Sequence, residues 1–210
     1  MGQHMHWVPS LENLAVQYVR RAIGANENDP TPPVSSTLPH VTFPYAELPT
    51  SQWIAIHVRH HDFASWCFGV PVEDCFASIP VIARRVREVK EELLERKGIV
   101  ANHVIMTSDE RNATWWEEVT AQGWFSVDHS KTGELYGEWY VNSKFTVLFF
   151  PNNIDSRYPV LIDAAIQSGG EGFVGTDRST MSVLARRRVQ SWRDGAVRTV
   201  KWGTLDADDH

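Results

Sequence analysis

The chain has 210 residues, 42% of them hydrophobic and 22% charged, with a formal net charge of −6. That length can bury one good core or two small ones of ordinary globular composition. The negative balance speaks against nonspecific nucleic-acid binding, and no apolar run approaches the length of a membrane span.

The first residues, Met-Gly-Gln-His-Met-His-Trp, lack the apolar stretch of a signal peptide. Ser10 to Ile23 reads as an amphipathic helix. Leu11, Leu14, Ala15, Tyr18, Val19 and Ala22 share one stripe, Ser10 is placed to cap it, and Gly24 to end it. Residues 25–50 hold six of the eleven prolines and read as a linker. Trp53 to Val58 is a strand by alternation.

Asp62 to Ala77 reads as a loop containing both cysteines, Cys67 and Cys75. At this spacing they could close a small disulfide loop or stand as two thiols. Spacing alone does not choose. Ser78 to Lys97 is the clearest helix. Its stripe is Ile79, Ile82, Ala83, Val86, Val89 and Leu93, with Pro80 in the first turn and Gly98 beyond the last. Glu92 and Arg96 are oriented for an i,i+4 pair. A strand over His103–Thr107 follows, then a helix over about 111–122 and a short strand over Trp124–Val127. Beyond residue 157 come a helix over Pro159–Gln167, a strand over Gly172–Thr176 and a helix over Met181–Ser191. Alternating strands and helices predict a doubly wound, mostly parallel α/β sheet.

Three segments carry chemistry. In Ile54-Ala-Ile-His57-Val-Arg59-His-His-Asp62, an apolar strand runs into a cationic fork, which suits a phosphate-bearing ligand. In Val104-Ile-Met-Thr-Ser-Asp109-Glu110, a second strand runs into polar residues. Helix capping alone would account for Asp109. The third runs from Tyr158 through Asp163, a glycine-rich turn and Phe173-Val-Gly-Thr176 to Ser179-Thr180-Met-Ser182. A helix start with free N–H groups suits phosphate, although Ser179 or Thr180 could serve only as a cap.

Taken in order, these segments resemble the three peptide motifs of the GDP-fucose-dependent fucosyltransferase superfamily. The last, through Leu184-Ala-Arg-Arg-Arg188, resembles fungal members of the O-fucosyltransferase family. The resemblance spans about residues 7–192. It implies the Rossmann-like, donor-binding half of a GT-B-type enzyme that transfers fucose from GDP-fucose, with inversion, to a protein Ser/Thr or glycan hydroxyl. It implies that His57 and Arg59 hold the diphosphate, and that Arg59 also neutralises the departing GDP. Asp62 would brace Arg59 or the loop, Asp109 would belong to the sugar or nucleotide pocket, and Asp163 would accept from the guanine edge. Ser179 and Thr180 would contact phosphate. No cofactor and no essential metal are implied. The family also implies the ER or Golgi lumen, given an anchor upstream. A catalytically silent nucleotide-sugar-binding module is the alternative, because the acceptor-binding half has no counterpart here.

The resemblance divides the chain into an N-terminal helix (1–24), a linker (25–50), a donor-binding domain (51–203) and an acidic tail (204–210). Residues 141–157 interrupt the family pattern just ahead of the third motif, and Tyr158 repeats Tyr140. The interruption is compatible with a retained short intron or with a hairpin insertion. His60 and His61 read as variable positions, since adjacent residues at a strand end point apart and do not share a metal.

Overall fold

The computed structural model describes residues 6–25, 52–129 and 158–209. Residues 26–51, which hold all but the first residue of the linker, and the interruption at 141–157 lie outside the described residues. Five strands form one sheet: β1 (Trp53–Val58), β2 (His103–Ser108), β3 (Phe125–Ser126), β4 (Gly172–Thr176) and β5 (Ala196–Val200), in the order β3-β2-β1-β4-β5. Every pairing is parallel. The chain steps outward from β1 to β2 and β3, then returns to build β4 and β5 on the other side of β1. The fold is therefore a doubly wound, Rossmann-like α/β domain whose order reverses between β1 and β4.

All six residues of β1 are buried, as a central parallel strand requires. Alternation divides them between two cores. Ile54, Ile56 and Val58 pack with Ile79, Ile82, Val86, Val89 and Leu93 of the helix α3 (Ile79–Lys97). Trp53 and Ala55 join the opposite core, built from α1 (Pro9–Ala22), α5 (Tyr158–Gly169) and α6 (Thr180–Arg193). The N-terminal helix thus packs into the sheet domain itself through Leu14, Ala15, Tyr18 and Val19. Burying each such aliphatic side chain contributes about 1.5–3 kcal/mol before entropy is counted.

α3 keeps its stripe at i, i+3, i+4 spacing and ends at Gly98, whose φ of +66° an L-residue resists. It lies close over the sheet because β4 opens with Gly172. A Cβ there would sit 2.4 Å from Val89 Cγ1.

Local details depart from the sequence reading. α1 starts at Pro9 behind Val8, so Ser10 lies inside the first turn. Ser78 precedes α3 but its side chain makes no capping bond. The cap of α4 (Ala113–Ala121) is Asn112, whose side chain accepts from Thr114 N–H, and not Asp109. The 62–77 loop contains a 3-10 turn over Asp62–Trp66 and the single turn α2 (Val72–Cys75). Cys67 and Cys75 are joined as a disulfide. With Phe63 and Trp202 they form a small third core. β5 was not anticipated. Its three inner residues are only half-buried, so it lacks the alternation that marks a strand in sequence.

Candidate functional site

Parallel register sets the site. His57 is level with Thr107 on β2 and with Gly175 on β4, so the three motif strands end side by side. In open sheets, ligands bind beyond such ends at the point where strand order reverses. Here that point lies between β1 and β4.

Thr176 and Ser182 join the two strands to α6. Thr176 donates from Oγ1 to His57 O at 3.0 Å and accepts Arg59 N–H on the same oxygen at 3.0 Å. Thr176 N–H donates to Ser182 Oγ at 3.0 Å, and that oxygen lies 2.8 Å from His57 Nδ1. Gly175 makes this approach possible, since a Cβ there would fall 2.8 Å from Ser182 Cβ. Ser179 caps α6 by accepting Ser182 N–H at 3.4 Å. Its capping role is real, and it also sets the helix start against β4. Thr180, the next residue, is exposed.

His57 is 5% exposed. Burial is the main reason its pKa falls to about 4; Asp109 pulls the other way and Arg59 adds to the fall. His57 is therefore a neutral imidazole at physiological pH. Arg59 donates from Nε to Asp62 Oδ1 at 2.7 Å, and its Nη1 stands 3.2 Å from Asp109 Oδ2. Among the described residues its Nη2 makes no hydrogen bond. The Asp62 bond and the Asp109 charge keep Arg59 charged against burial. The same Arg59 bond lowers the Asp62 carboxyl below its usual range. Asp109 accepts His60 N–H on Oδ1 at 2.8 Å, while among the described residues its buried Oδ2 meets the Arg59 charge but makes no hydrogen bond.

His60 is held inside the fold. Its ring is buried, stacks on Phe76 at 4.2 Å and meets Glu110 Oε2 through Nδ1 at 2.7 Å. Burial would raise the Glu110 carboxyl, but His60 and the amides of Asn112 and Arg111 outweigh it and hold it low. His61 is exposed. Aromatic content around residues 63–76 was the available signal for a buried ring.

Asp163 stands on α5 one turn before Gln167, which donates from Nε2 to Thr107 Oγ1 at 2.8 Å. It therefore belongs to the β2 side of the edge. Its carboxylate meets His129 Nε2 at 2.8 Å, not His57 or Arg59. Burial pushes the Asp163 carboxyl upward, with His129 pulling back.

A small cleft of about 20 Å³ opens at the strand ends, lined by His57, Arg59, His60, Thr176, Phe76 and Trp202. Ile56, Val58 and Ile82 also line it, which puts it on the α3 side. The His57 imidazole faces α6 instead. Asp109, Asp163 and Ser179 surround the same edge but do not line this cleft. Among the described residues no group of three His, Cys, Asp or Glu side chains could hold a metal, and no helix is long and apolar enough to cross a membrane.

This is the edge of a Rossmann-like domain with cationic and hydroxyl groups gathered where the sheet reverses. Among solved structures the chain is similar to POFUT1 in complex with GDP-fucose: TM-score 0.44, 13% identity, 97% of this chain against 48% of that one. It is also similar to the POFUT1 apo form, at TM-score 0.39 and 13% identity over 94% of this chain and 48% of that one. For POFUT1 in complex with GDP the values are 0.39, 12%, 94% and 49%. The chain thus spans about half the length of the solved chains it matches. No family model and no curated protein matches it.

Proposed function

We propose that the chain is the donor-binding half of an inverting fucosyltransferase that takes GDP-fucose and passes the sugar to a protein Ser/Thr or glycan hydroxyl. The observation that carries this reading is the meeting of three motif segments on adjacent parallel strands at the reversal point, with Arg59 at their centre. The reading gives each group a task. Arg59 grips the diphosphate and stabilises the charge that develops on GDP as the fucose C1–O bond breaks. The acceptor oxygen forms the new bond to C1 from the opposite face and loses its proton to a base. His57 donates to the nucleotide, Ser179 and Thr180 offer hydroxyls to phosphate, and Asp163 accepts from guanine once His129 releases it. Asp62 and Asp109 hold Arg59 until phosphate arrives. The fungal affinity of the last motif, the acceptor class and a lumenal location belong to the same proposal.

The pairing of Arg59 with two carboxylates favours the second reading, a catalytically silent nucleotide-sugar-binding module. In it these ion pairs never yield to a reacting donor. Calorimetric titration with GDP and ADP tests binding, and turnover of GDP-fucose tests catalysis. Binding of GDP in preference to ADP, lost in Asp163→Ala, is expected. Equal binding of the two nucleotides would remove the guanine assignment, and binding without turnover would select the silent module.

A further inference from the structure

Ser182 has no role in the reading above, yet it is the side chain that His57 touches. It is buried, and its Oγ receives the Thr176 amide proton at 3.0 Å. That amide occupies one lone pair of the hydroxyl, which still has its own proton to donate. Among the described residues the acceptor within reach is His57 Nδ1, at 2.8 Å. The opposite arrangement, with the imidazole donating from Nδ1, would leave the hydroxyl proton buried with no acceptor, which is costly. It would also leave Nε2 without a proton.

We propose that Ser182 is a positioning residue that fixes the His57 tautomer: its hydroxyl donates to Nδ1, so the ring proton resides on Nε2 and His57 meets an incoming ligand as a hydrogen-bond donor. Three features of the fold support this. Gly175 lacks the Cβ that would push Ser182 away. Thr176 orients Ser182 Oγ from one side and ties β1 to β4 from the other. Ser179 fixes the first turn of α6 on which Ser182 stands. A neutral Nε2–H donor suits an acceptor oxygen of a nucleoside diphosphate. The same ring with its proton on Nδ1 would turn a lone pair toward that oxygen and repel it. The tautomer itself does not depend on what the ligand is; the choice of nucleotide in the binding arm rests on the function proposed above.

The test is two-bond proton–nitrogen NMR of the imidazoles in the full 15N-labelled chain at pH 7, assigned with His57→Gln, without ligand. The expected result is the Nε2–H tautomer for His57. In Ser182→Ala the ring should become a tautomer mixture or Nδ1–H, and Ser182→Thr, which keeps a hydroxyl, should restore the wild-type pattern. GDP affinity should fall roughly three- to tenfold in Ser182→Ala, the loss of one hydrogen bond, and return in Ser182→Thr. An Nδ1–H ring or an imidazolium in the wild-type chain overturns the proposal, even if Ser182→Ala fails to fold. So does an unchanged tautomer in a folded Ser182→Ala, which would reduce Ser182 to tying α6 to β4. If the tautomer behaves as expected and GDP does not bind, the positioning role stands and the nucleotide reading falls.

Discussion

Two regions of the molecule are built from arginines and carboxylates, and they use them differently. On the flank formed by α3 and β5 each of four arginines is hydrogen-bonded to two carboxylates. Arg85 reaches Asp208 at 2.7 Å and Glu88 at 3.0 Å, and Arg198 bonds Glu88 at 2.9 Å and Glu92 at 2.7 Å. Arg96 links Glu92 to Asp194. Asp208, in the stretch read as an acidic tail, has a side chain only 2% exposed and also accepts Lys201 N–H. At the strand ends Arg59 holds one hydrogen-bonded carboxylate that is 57% exposed and a second charge without hydrogen-bond geometry. An arginine whose fork is fully spent locks elements together. One whose fork is partly open beside an under-bonded carboxylate can exchange partners when an anion arrives.

The largest expected effect tests the open fork. Arg59→Lys keeps the charge and loses the bidentate grip. In a preparation that turns over GDP-fucose it should lower kcat about a hundredfold to a thousandfold, with GDP affinity falling less, because Ser179 and Thr180 remain. That split marks a group acting mainly on the transition state. If Arg59 is as structural as Arg85, the melting temperature drops instead and kcat per folded molecule stays the same.

Next comes the saturated flank. Asp208→Ala leaves Arg84 and Arg85 without their shared buried partner and Lys201 N–H without an acceptor. Losing these charged hydrogen bonds should cost about 2–3 kcal/mol, read as a lower denaturant midpoint, with GDP affinity unchanged. A change in GDP affinity would show that the two regions are coupled.

The two regions also separate by pH. Burial alone would raise the Asp208 carboxyl, but its bonds to Arg85, Lys201 and Arg84 outweigh it and hold it below its ordinary value. Its contribution is therefore complete above about pH 4, the unfolded value, and is lost only as pH falls through the lower folded value. His57 works in a different window. Its folded pKa is about 4 against an unfolded value near 6.5. As pH falls from 6.5 to 4 the unfolded chain takes up a proton that the folded ring refuses, and stability declines by about 3 kcal/mol. Stability curves of wild type and His57→Gln should diverge between pH 7 and 4, whereas those of wild type and Asp208→Ala should converge below pH 4. A His57→Gln curve parallel to wild type across that interval would mean that the folded ring titrates as the unfolded one does and that burial does not hold it neutral.

What was legible in sequence tracks how local the signal was. Two-faced burial of β1 and the stripe of α3 are written in the periodicity of Trp53–Val58 and Ile79–Leu93, so the parallel sheet and its order of elements could be read. β5 could not be read so readily, because Val197, Arg198 and Thr199 are each half-buried and Arg198 is held by Glu88 and Glu92 from a distant helix. At the site, the i,i+3 bond between Arg59 and Asp62 follows from spacing. The contact of Ser182 with His57 spans 125 residues and depends on Gly175 having no side chain, so no local pattern announces it. The burial of His60 escapes local reading for a related reason: its partners Phe76, Glu110 and Trp115 come from two other segments.

The smallest effect concerns the joint between the two regions. The Cys67–Cys75 bond closes the loop that begins with Asp62, and Gly203 N–H, just past β5, donates to Cys75 O at 2.7 Å. Trp202 packs against the same loop, 4.9 Å from Phe63 and 5.5 Å from Phe76 between ring centroids. The loop closes over a separation of eight residues, for which the chain-entropy account gives about 2.5 kcal/mol. Replacing both cysteines by alanine should therefore lower stability by about that much. Amide exchange locates the loss. If the loop is a separate unit of the fold, protection should fall at Val70, Cys75 and Gly203, whose N–H groups are bonded within or onto it, while the amides of α3 keep theirs. The Arg59–Asp62 pair should loosen with the loop and Asp208 should remain locked. Equal loss of protection along α3 and β5 would mean that the staple holds both regions as one cooperative unit, and the contrast between an exchangeable edge and a saturated flank would then lie in their chemistry alone and not in their local stability.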